Sequence, residues 1–222
     1  SLLATILWCA GVCAWGGAPA ANRATTSIVC MVPNVTEILF AVGAGDQVAG
    51  NSDFCNYPEE ARRKPRVGGL LNPNIEKIVS LKPSVVILLD AQADLSRKLG
   101  KLGLATVMVR SDSLEDVYHS IGEAGRLAGR PVEAATLLSR LRARIDAVRD
   151  RFSTAPRVRT LMVVGRQPAA LQNIYVAGPK TYLGQLLEAA GAENLAPGGG
   201  SAYAPMTKEQ LLALNPSVII DT

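Results

Sequence analysis

An internal repeat is the feature of this sequence that most constrains its fold. The segment IEKIVSLKPSVVIL at residues 75–88 recurs as KEQLLALNPSVII at residues 208–220. In both copies a glutamate, Glu76 or Glu209, stands seven positions before a proline. A helix that leads through a proline into an apolar strand explains the leucines, the proline and the apolar run. A glutamate in the first turn of a helix gains a small favourable interaction with the helix dipole. Packing does not explain why the glutamate is present in both copies.

One recurrence with unequal spacing predicts two related lobes and not a stack of repeats. Solenoid proteins need at least three copies at a fixed period. Here 33 residues separate Gly43 from Glu76, whereas 18 separate Gly191 from Glu209 in the corresponding interval. We therefore expect two lobes of the same class that face each other across a cleft.

Short apolar runs alternate with amphipathic segments in both halves of the chain. Strands are predicted from Ile28 to Met31 and in the runs SVVILL, ATVMV, RTLMVVG and NIYVAG. Asn34 is predicted to cap the first helix, and Ser113 and Asp116 have the spacing of a capping box. Alternation of this kind is typical of parallel sheets covered by helices. The predicted fold class is α/β, with two Rossmann-like parallel-sheet lobes.

Residues 131–152, PVEAATLLSRLRARIDAVRDRF, break this alternation. Pro131 suits the first turn of a helix. Apolar side chains then recur at intervals of three to four residues, at Leu138, Leu141, Ile145, Val148 and Phe152. Such spacing gives one apolar stripe on an arginine-rich helix, about 30 Å long. The prediction is an N-terminal lobe at 26–130, a single backbone helix at 131–153 and a C-terminal lobe at 156–222.

The two ends of the chain carry separate expectations. Residues 1–20, SLLATILWCAGVCAWGGAPA, contain no charge and end in Ala-Pro-Ala, as secretory signal peptides do. A retained membrane anchor is the alternative, although Gly16, Gly17 and Pro19 disfavour a spanning helix. The sequence stops directly after a predicted strand, where a covering helix normally follows, so we expect the C-terminal lobe to be incomplete.

Export would leave two cysteines, Cys30 and Cys55, in an oxidising compartment. Each follows an early predicted strand, so a single bridge between them is one interpretation. Two free buried thiols are the other.

Charge and motifs exclude several function classes. The net charge of +4 is spread among acidic residues and predicts no nucleic-acid surface. The sequence lacks dinucleotide-binding, P-loop, nucleophile-elbow and zinc-protease motifs, and it has one histidine, so we predict no enzyme and no catalytic residue. His119 and Cys55 are candidate axial ligands to a bound metal complex, but His119 lies in a predicted helix and no protein metal site is expected.

The strings P-x-V-T-E-I-L-F-A-x-G at residues 33–43 and R-V-G-G-x-x-N-P-N at residues 66–74 resemble the periplasmic cobalamin-binding proteins of ABC importers, within the helical-backbone metal-receptor group. The resemblance runs from about residue 27 to residue 222. It implies two lobes joined by one rigid helix, a ligand held between them, a periplasmic location, a monomer and no cofactor. The implied ligand is a corrinoid, and a ferric siderophore or haem is the alternative.

The resemblance also implies roles for individual residues. Glu76 and Glu209 match the glutamates that dock into arginines on the two permease subunits. Phe54, Leu70 and Tyr203 match the ligand pocket, although Leu70 stands where a cobalamin binder has a tryptophan. Arg166 follows a predicted strand and can either reach a phosphate or carboxylate of the ligand or lie in solvent.

Overall fold

The computed structural model describes residues 26–167 and 172–222, so the predicted signal peptide lies outside the described residues. The first lobe has a parallel sheet with the strand order β2-β1-β3-β4. Its strands are β1 (Ile28–Cys30), β2 (Val48–Asn51), β3 (Val85–Leu89) and β4 (Thr106–Val109). Its helices are α1 (Pro33–Ala41), α2 (Glu59–Arg62), α3 (Ile75–Ser80), α4 (Ala93–Lys101) and α5 (Leu114–Leu127). Short 3-10 turns cover Gly45–Gln47 and Asp90–Gln92.

Both faces of this sheet are buried. Ile28 and Ile87 point toward one hydrophobic core, which includes Leu39 of α1 and Ile121 of α5. The alternate residues of the same strands point toward a second core, which lies against α3 and α4. A sheet covered on both faces requires continuous apolar strands such as VVILL, and this is the pattern that the sequence has.

One unbroken helix, α6 (Pro131–Phe152), leads from the first lobe to the second. Its first turns pack closely on α5, because a Cβ atom added at Gly125 would lie 2.3 Å from the Cβ atom of Ala134. At its far end the Phe152 side chain lies against Gly191 of the second lobe. The helix therefore contacts both lobes. Among the described residues, no helix is both long and apolar enough to cross a membrane.

The second lobe has a mixed sheet. Its strands are β5 (Val158–Gly165), β6 (Ile174–Ala177), β7 (Ala192–Asn194), β8 (Tyr203–Met206) and β9 (Val218–Asp221). Its helices are α7 (Tyr182–Ala189) and α8 (Lys208–Leu214). Strands β7 and β9 run parallel to β5, whereas β6 runs antiparallel to both β5 and β8.

This mixed sheet differs from the parallel sheet expected for the second lobe. A parallel pair needs a crossover of a dozen or more residues, but an antiparallel pair can be joined by a short loop. Eight residues separate β5 from β6, and the Gln167 amide donates to the Gln172 carbonyl oxygen across this connection at 3.0 Å. The α/β class is confirmed, with β6 as the strand that runs opposite to the other four.

The repeated sequence corresponds to a repeated structure. Helix α3 leads into β3, and helix α8 leads into β9. Asn74 caps α3 by accepting from the Lys77 amide, and Thr207 caps α8 by accepting from the Gln210 amide. Each helix thus begins on a side-chain cap and places its glutamate in the first turn.

Candidate functional site

The loop that follows β2 carries two exposed aromatic side chains. Phe54 and Tyr57 have 64% and 68% of their surface exposed, whereas Ser52 and Cys55 in the same loop are buried. The loop follows the carboxyl end of a parallel strand, which is the edge where open α/β sheets bind ligands.

Arg66 holds this loop in place. One guanidinium nitrogen, Nη1, donates to the Ser52 carbonyl at 2.6 Å, to the Cys55 carbonyl at 2.9 Å and to Asn51 Oδ1 at 3.2 Å. A backbone fixed in this way presents Phe54 without the entropy loss of ordering a mobile loop on binding.

A second turn, residues 68–74, lies against the first loop. A Cβ atom added at Gly69 would lie 2.9 Å from Phe54 Cε2, so the phenyl ring packs on the Gly69 backbone. The Gly69 amide donates to Asn72 Oδ1 at 3.2 Å. The turn presents Leu70 and Leu71, with 44% and 94% of their surface exposed. We call Phe54, Tyr57, Leu70 and Leu71 the apolar patch.

Two members of the apolar patch were missed by reasoning from the sequence. Leu71 is adjacent to Leu70 in the same string, and its exposure could have been expected from the turn residues around it. Tyr57, which precedes Pro58, was not among the predicted pocket residues. Neither residue stands at a position that the family resemblance singles out.

Tyr203 lies where the two lobes meet. It begins β8 and is half-buried. Burial raises the pKa of its phenol to about 12, with smaller contributions from Tyr182 and the Asp112 carboxylate. The Tyr182 amide of the second lobe donates to the Asp112 carbonyl of the first at 2.6 Å. The Leu114 amide donates back to Gln185 Oε1 at 2.8 Å.

Arg166 is ion-paired. Its Nε and Nη2 atoms lie 2.8 and 2.7 Å from Asp221 Oδ2. The pair connects the carboxyl ends of β5 and β9, and the hydrogen bond with Asp221 raises the pKa of the guanidinium group. An anionic ligand would have to compete with Asp221 for this cation.

Glu76 and Glu209 occupy equivalent places on the two lobes. Both are solvent-exposed and both lie in the first turn of their helices. Hydrogen bonds from the Glu209 backbone amide and the Thr207 hydroxyl lower the pKa of the Glu209 carboxyl group. Within residues 26–167 and 172–222, neither glutamate is in an ion pair.

Neither candidate axial ligand belongs to the apolar patch. Cys55 points away from it, and His119 lies far from it along the chain. Cys55 Sγ is buried beneath the loop, 3.2 Å from Thr36 Oγ1. His119 is exposed in the middle of α5. Among the described residues, no three metal-binding side chains form a cluster.

Helices of both lobes also enclose an apolar groove of about 710 Å³ along α6. Its walls include Ile38 of α1, Val117 of α5, Leu141 of α6 and Leu186 of α7, and Tyr57 lies at its edge. Burial in this region raises the pKa of Glu37. The groove runs along helices, whereas the apolar patch is built by loops.

Comparison with known families matches nearly the whole described chain to a single protein family. The sequence model described as "Periplasmic binding protein" matches residues 28–221. A substrate-binding lipoprotein of an ABC transporter from Bacillus subtilis, itself uncharacterized, is 30% identical over 203 residues. That match covers 88% of this chain and 63% of the relative, so the chain spans less than two thirds of the relative's length.

Two further proteins are similar in sequence or in structure. A vitamin B12-binding protein from Vibrio campbellii is 26% identical over 201 residues, which are 90% of this chain and 71% of the relative. The periplasmic heme-binding protein RhuT from Roseiflexus sp. RS-1 aligns with a TM-score of 0.77 at 26% identity. That alignment covers 89% of this chain and 76% of the solved one.

Proposed function

This chain belongs to the periplasmic binding protein family, and from that premise we propose that it binds a corrinoid between its lobes and delivers it to the permease of an ABC importer. The family consists of substrate-binding proteins, so the chain is a transport component and not an enzyme. The observation that carries the proposal is the apolar patch: two aromatic and two leucine side chains, exposed on loops that Arg66 and Gly69 hold together.

An exposed apolar patch on a fixed backbone suits a large, flat ligand. Exposed patches of this kind mark binding sites on soluble proteins, and aromatic faces bury a large area with little loss of side-chain entropy. A corrin ring offers such a face. Tyr203, across the lobe contact, is proposed as part of the opposite wall.

The arginines near the strand ends favour a ligand with little negative charge. Arg66 donates to backbone carbonyl oxygens, Arg110 faces Asp112 and Asp116, and Arg166 is paired with Asp221. Haem propionates and the catecholates or hydroxamates of ferric siderophores need unpaired cations. Cobalamin carries mostly neutral amides and a single phosphate, which makes it the better match.

Haem is the second candidate, because a structurally similar protein of 26% identity is a heme-binding protein. The test is the visible absorption spectrum of the protein after incubation with cobalamin, cobinamide or haem and subsequent desalting. Retained corrinoid bands are expected. A retained haem band with no corrinoid bands would support the second candidate, and a colourless protein in all three samples would contradict both.

Replacement of the proposed pocket residues tests the site itself. Phe54→Ala and Tyr203→Ala should each weaken corrinoid binding by roughly tenfold, equivalent to about 1.4 kcal/mol. Tyr118→Ala is the control, because the Tyr118 ring lies under Arg142 between α5 and α6. Unchanged affinity in both pocket variants would contradict the assignment.

We further propose that the protein works as a monomer and that residues 1–20 direct it to the periplasm.

We also propose that Glu76 and Glu209 dock onto the two permease subunits. Two separated carboxylates fix the register of a complex, and loss of one partner of a desolvated charge pair costs about 2–5 kcal/mol. Their exposure and their equivalent positions on the two lobes support this role.

The docking proposal is tested with Glu76→Gln, Glu209→Gln and the double variant. Ligand affinity and melting temperature should stay unchanged, since exposed substitutions alter stability by less than about 0.5 kcal/mol, while uptake falls and is lowest in the double variant. Glu115→Gln, an exposed first-turn glutamate of α5, is the matched control. Normal uptake in the double variant would contradict docking through these residues.

A further inference from the structure

The two cysteines of the first lobe share one hydrogen-bonded cluster. Thr36 Oγ1 lies 3.2 Å from Cys55 Sγ and donates to the Val32 carbonyl at 3.2 Å. The Cys30 thiol donates to that same carbonyl at 3.3 Å. Ser52 Oγ lies on the other side of Cys55, 3.4 Å from its sulfur. Both thiols therefore converge on the first turn of α1, although 25 positions of chain separate them.

Both sulfur atoms belong to rigid parts of the lobe. Cys30 ends β1 at the centre of the sheet and is 0% exposed, and Cys55 is 1% exposed. Within the part of the chain that the structure describes, the hydrogen-bond partners of the two sulfur atoms are two hydroxyl groups and a carbonyl oxygen, none of which carries a charge. Bringing the sulfurs together requires no rearrangement of buried charge.

The two thiols differ in accessibility. Cys55 lies in the loop that follows β2, between the exposed residues Phe54 and Asn56, so a local opening of the loop uncovers its sulfur. Cys30 is inside the sheet, and burial raises the pKa of its thiol to about 12. An oxidant would therefore reach Cys55 first.

We propose that Cys30 and Cys55 form a disulfide bond on exposure to a small-molecule disulfide, and that this bond ties the loop bearing Phe54 to β1. Cys55 attacks the small disulfide, which breaks its S–S bond, forms a mixed disulfide and releases one small thiol. Cys30 then attacks the Cys55 sulfur and releases the second small thiol. The two protons leave on the two small thiols, and the small disulfide is reduced as the protein is oxidised.

The bond would strengthen the base of the apolar patch. Phe54 precedes Cys55 directly, and Arg66 already fixes the Cys55 carbonyl at 2.9 Å. A covalent link from Cys55 to the central strand adds a second anchor on the side chain. The inference concerns the fold of the first lobe and holds whichever ligand the protein binds.

Peptide mapping tests this directly, because no lysine or arginine lies between Arg23 and Arg62. Trypsin therefore releases both cysteines in one peptide, separate from Cys9 and Cys13. The protein is incubated with oxidised glutathione, denatured, alkylated with iodoacetamide and digested. We expect a 24–62 peptide that carries no alkyl group and is two hydrogen atoms lighter than the same peptide with both thiols reduced. Further cleavage after Glu37 should leave its two halves linked until a reductant is added.

Stability provides a second readout. A bridge over this span constrains the unfolded chain, so the oxidised protein should melt about 5–10 °C above the reduced one. Cys30→Ser and Cys55→Ser should lose that difference, and Cys55 in the Cys30→Ser variant should accumulate as a glutathione mixed disulfide. Two alkylated cysteines after oxidation of the wild-type protein, or glutathione retained on both, would overturn the proposal.

Discussion

Lys82 and Asn215 occupy the same position in the two copies of the repeated segment, directly before the proline. Both have left-handed backbone conformations, with φ angles of 47° and 44°. Asparagine tolerates this conformation because its short side chain bonds locally, whereas most other residues lose about 1–2 kcal/mol in it. The first copy is therefore strained at a place where the second copy is relaxed.

Exchanging these two residues should reveal the strain. Lys82→Asn is expected to raise the free energy of unfolding by roughly 0.5–1 kcal/mol, and Asn215→Lys to lower it by a similar amount. Urea denaturation of both variants measures the difference. If Lys82→Asn lowers the free energy of unfolding and Asn215→Lys raises it by a similar small amount, the left-handed angle is not the determining factor.

Arg66 gives a second prediction for a single side chain. Arg66→Lys keeps the charge but cannot reproduce several hydrogen bonds from one planar group. We expect corrinoid affinity to fall by roughly tenfold, with unfolding free energy lower by about 1–2 kcal/mol, because buried carbonyl oxygens lose their donor.

The control for Arg66 is Arg63→Lys, at an exposed neighbour on the same segment. It should change neither binding nor stability. Titration of ligand absorbance and a thermal melt on the same samples separate the two variants. A normal affinity in Arg66→Lys would show that loop fixation contributes nothing to the site.

Residue-level prediction from the sequence succeeded where a motif was local. Ser113 and Asp116 form the expected capping box. Asn34 is not a cap, because Pro33 takes the first helical position and Val32 stands before it; proline favours that position since it has no amide hydrogen to satisfy. The role of Arg66 was not predictable, because its acceptors lie 11 to 15 positions away and only the folded loop brings them together.

At the scale of elements, the crossing of α5 and α6 depends on one glycine. A Cβ atom at Gly125 would lie 2.3 Å from Ala134 Cβ and 3.0 Å from the Arg130 carbonyl oxygen. Neither neighbour is the end of a flexible side chain. Gly125→Ala should therefore separate the helices and lower the free energy of unfolding by about 1–3 kcal/mol.

Gly122 of the same helix is the matched control, since a Cβ atom there meets nothing within 4 Å. Gly122→Ala should stabilise the protein by about 0.5–1 kcal/mol, because alanine is the better helix former. Chemical denaturation gives both values. Stabilisation by both substitutions would mean that the two helices pack less closely than described.

The periodicity of the sequence predicted most elements but not their pairing. Continuous apolar runs predicted the buried parallel strands of the first lobe, and regular spacing predicted a helix over 131–152. The antiparallel direction of β6 does not follow from the periodicity, because an apolar run has no direction in a sheet and only the short connection to β5 indicates it. The positions of Phe54, Leu70 and Tyr203 in a ligand site remain predictions.

At the scale of the whole molecule, α6 runs without a break from the first lobe to the second, and direct hydrogen bonds join the lobes beside it. Hinges are usually a few loop residues that absorb a large backbone change. The connection here is instead a regular helix through residue 152. We expect the radius of gyration from small-angle scattering to be the same with and without ligand.

The fixed arrangement of the two lobes predicts a simple time course for ligand binding. If no closing step follows the encounter, stopped-flow traces should show one exponential whose rate rises linearly with ligand concentration, without the plateau that a slow rearrangement imposes. Differences in affinity between ligands would then arise in the dissociation rate, because the same open face meets each of them. A second, concentration-independent phase would reveal that the two lobes move after all.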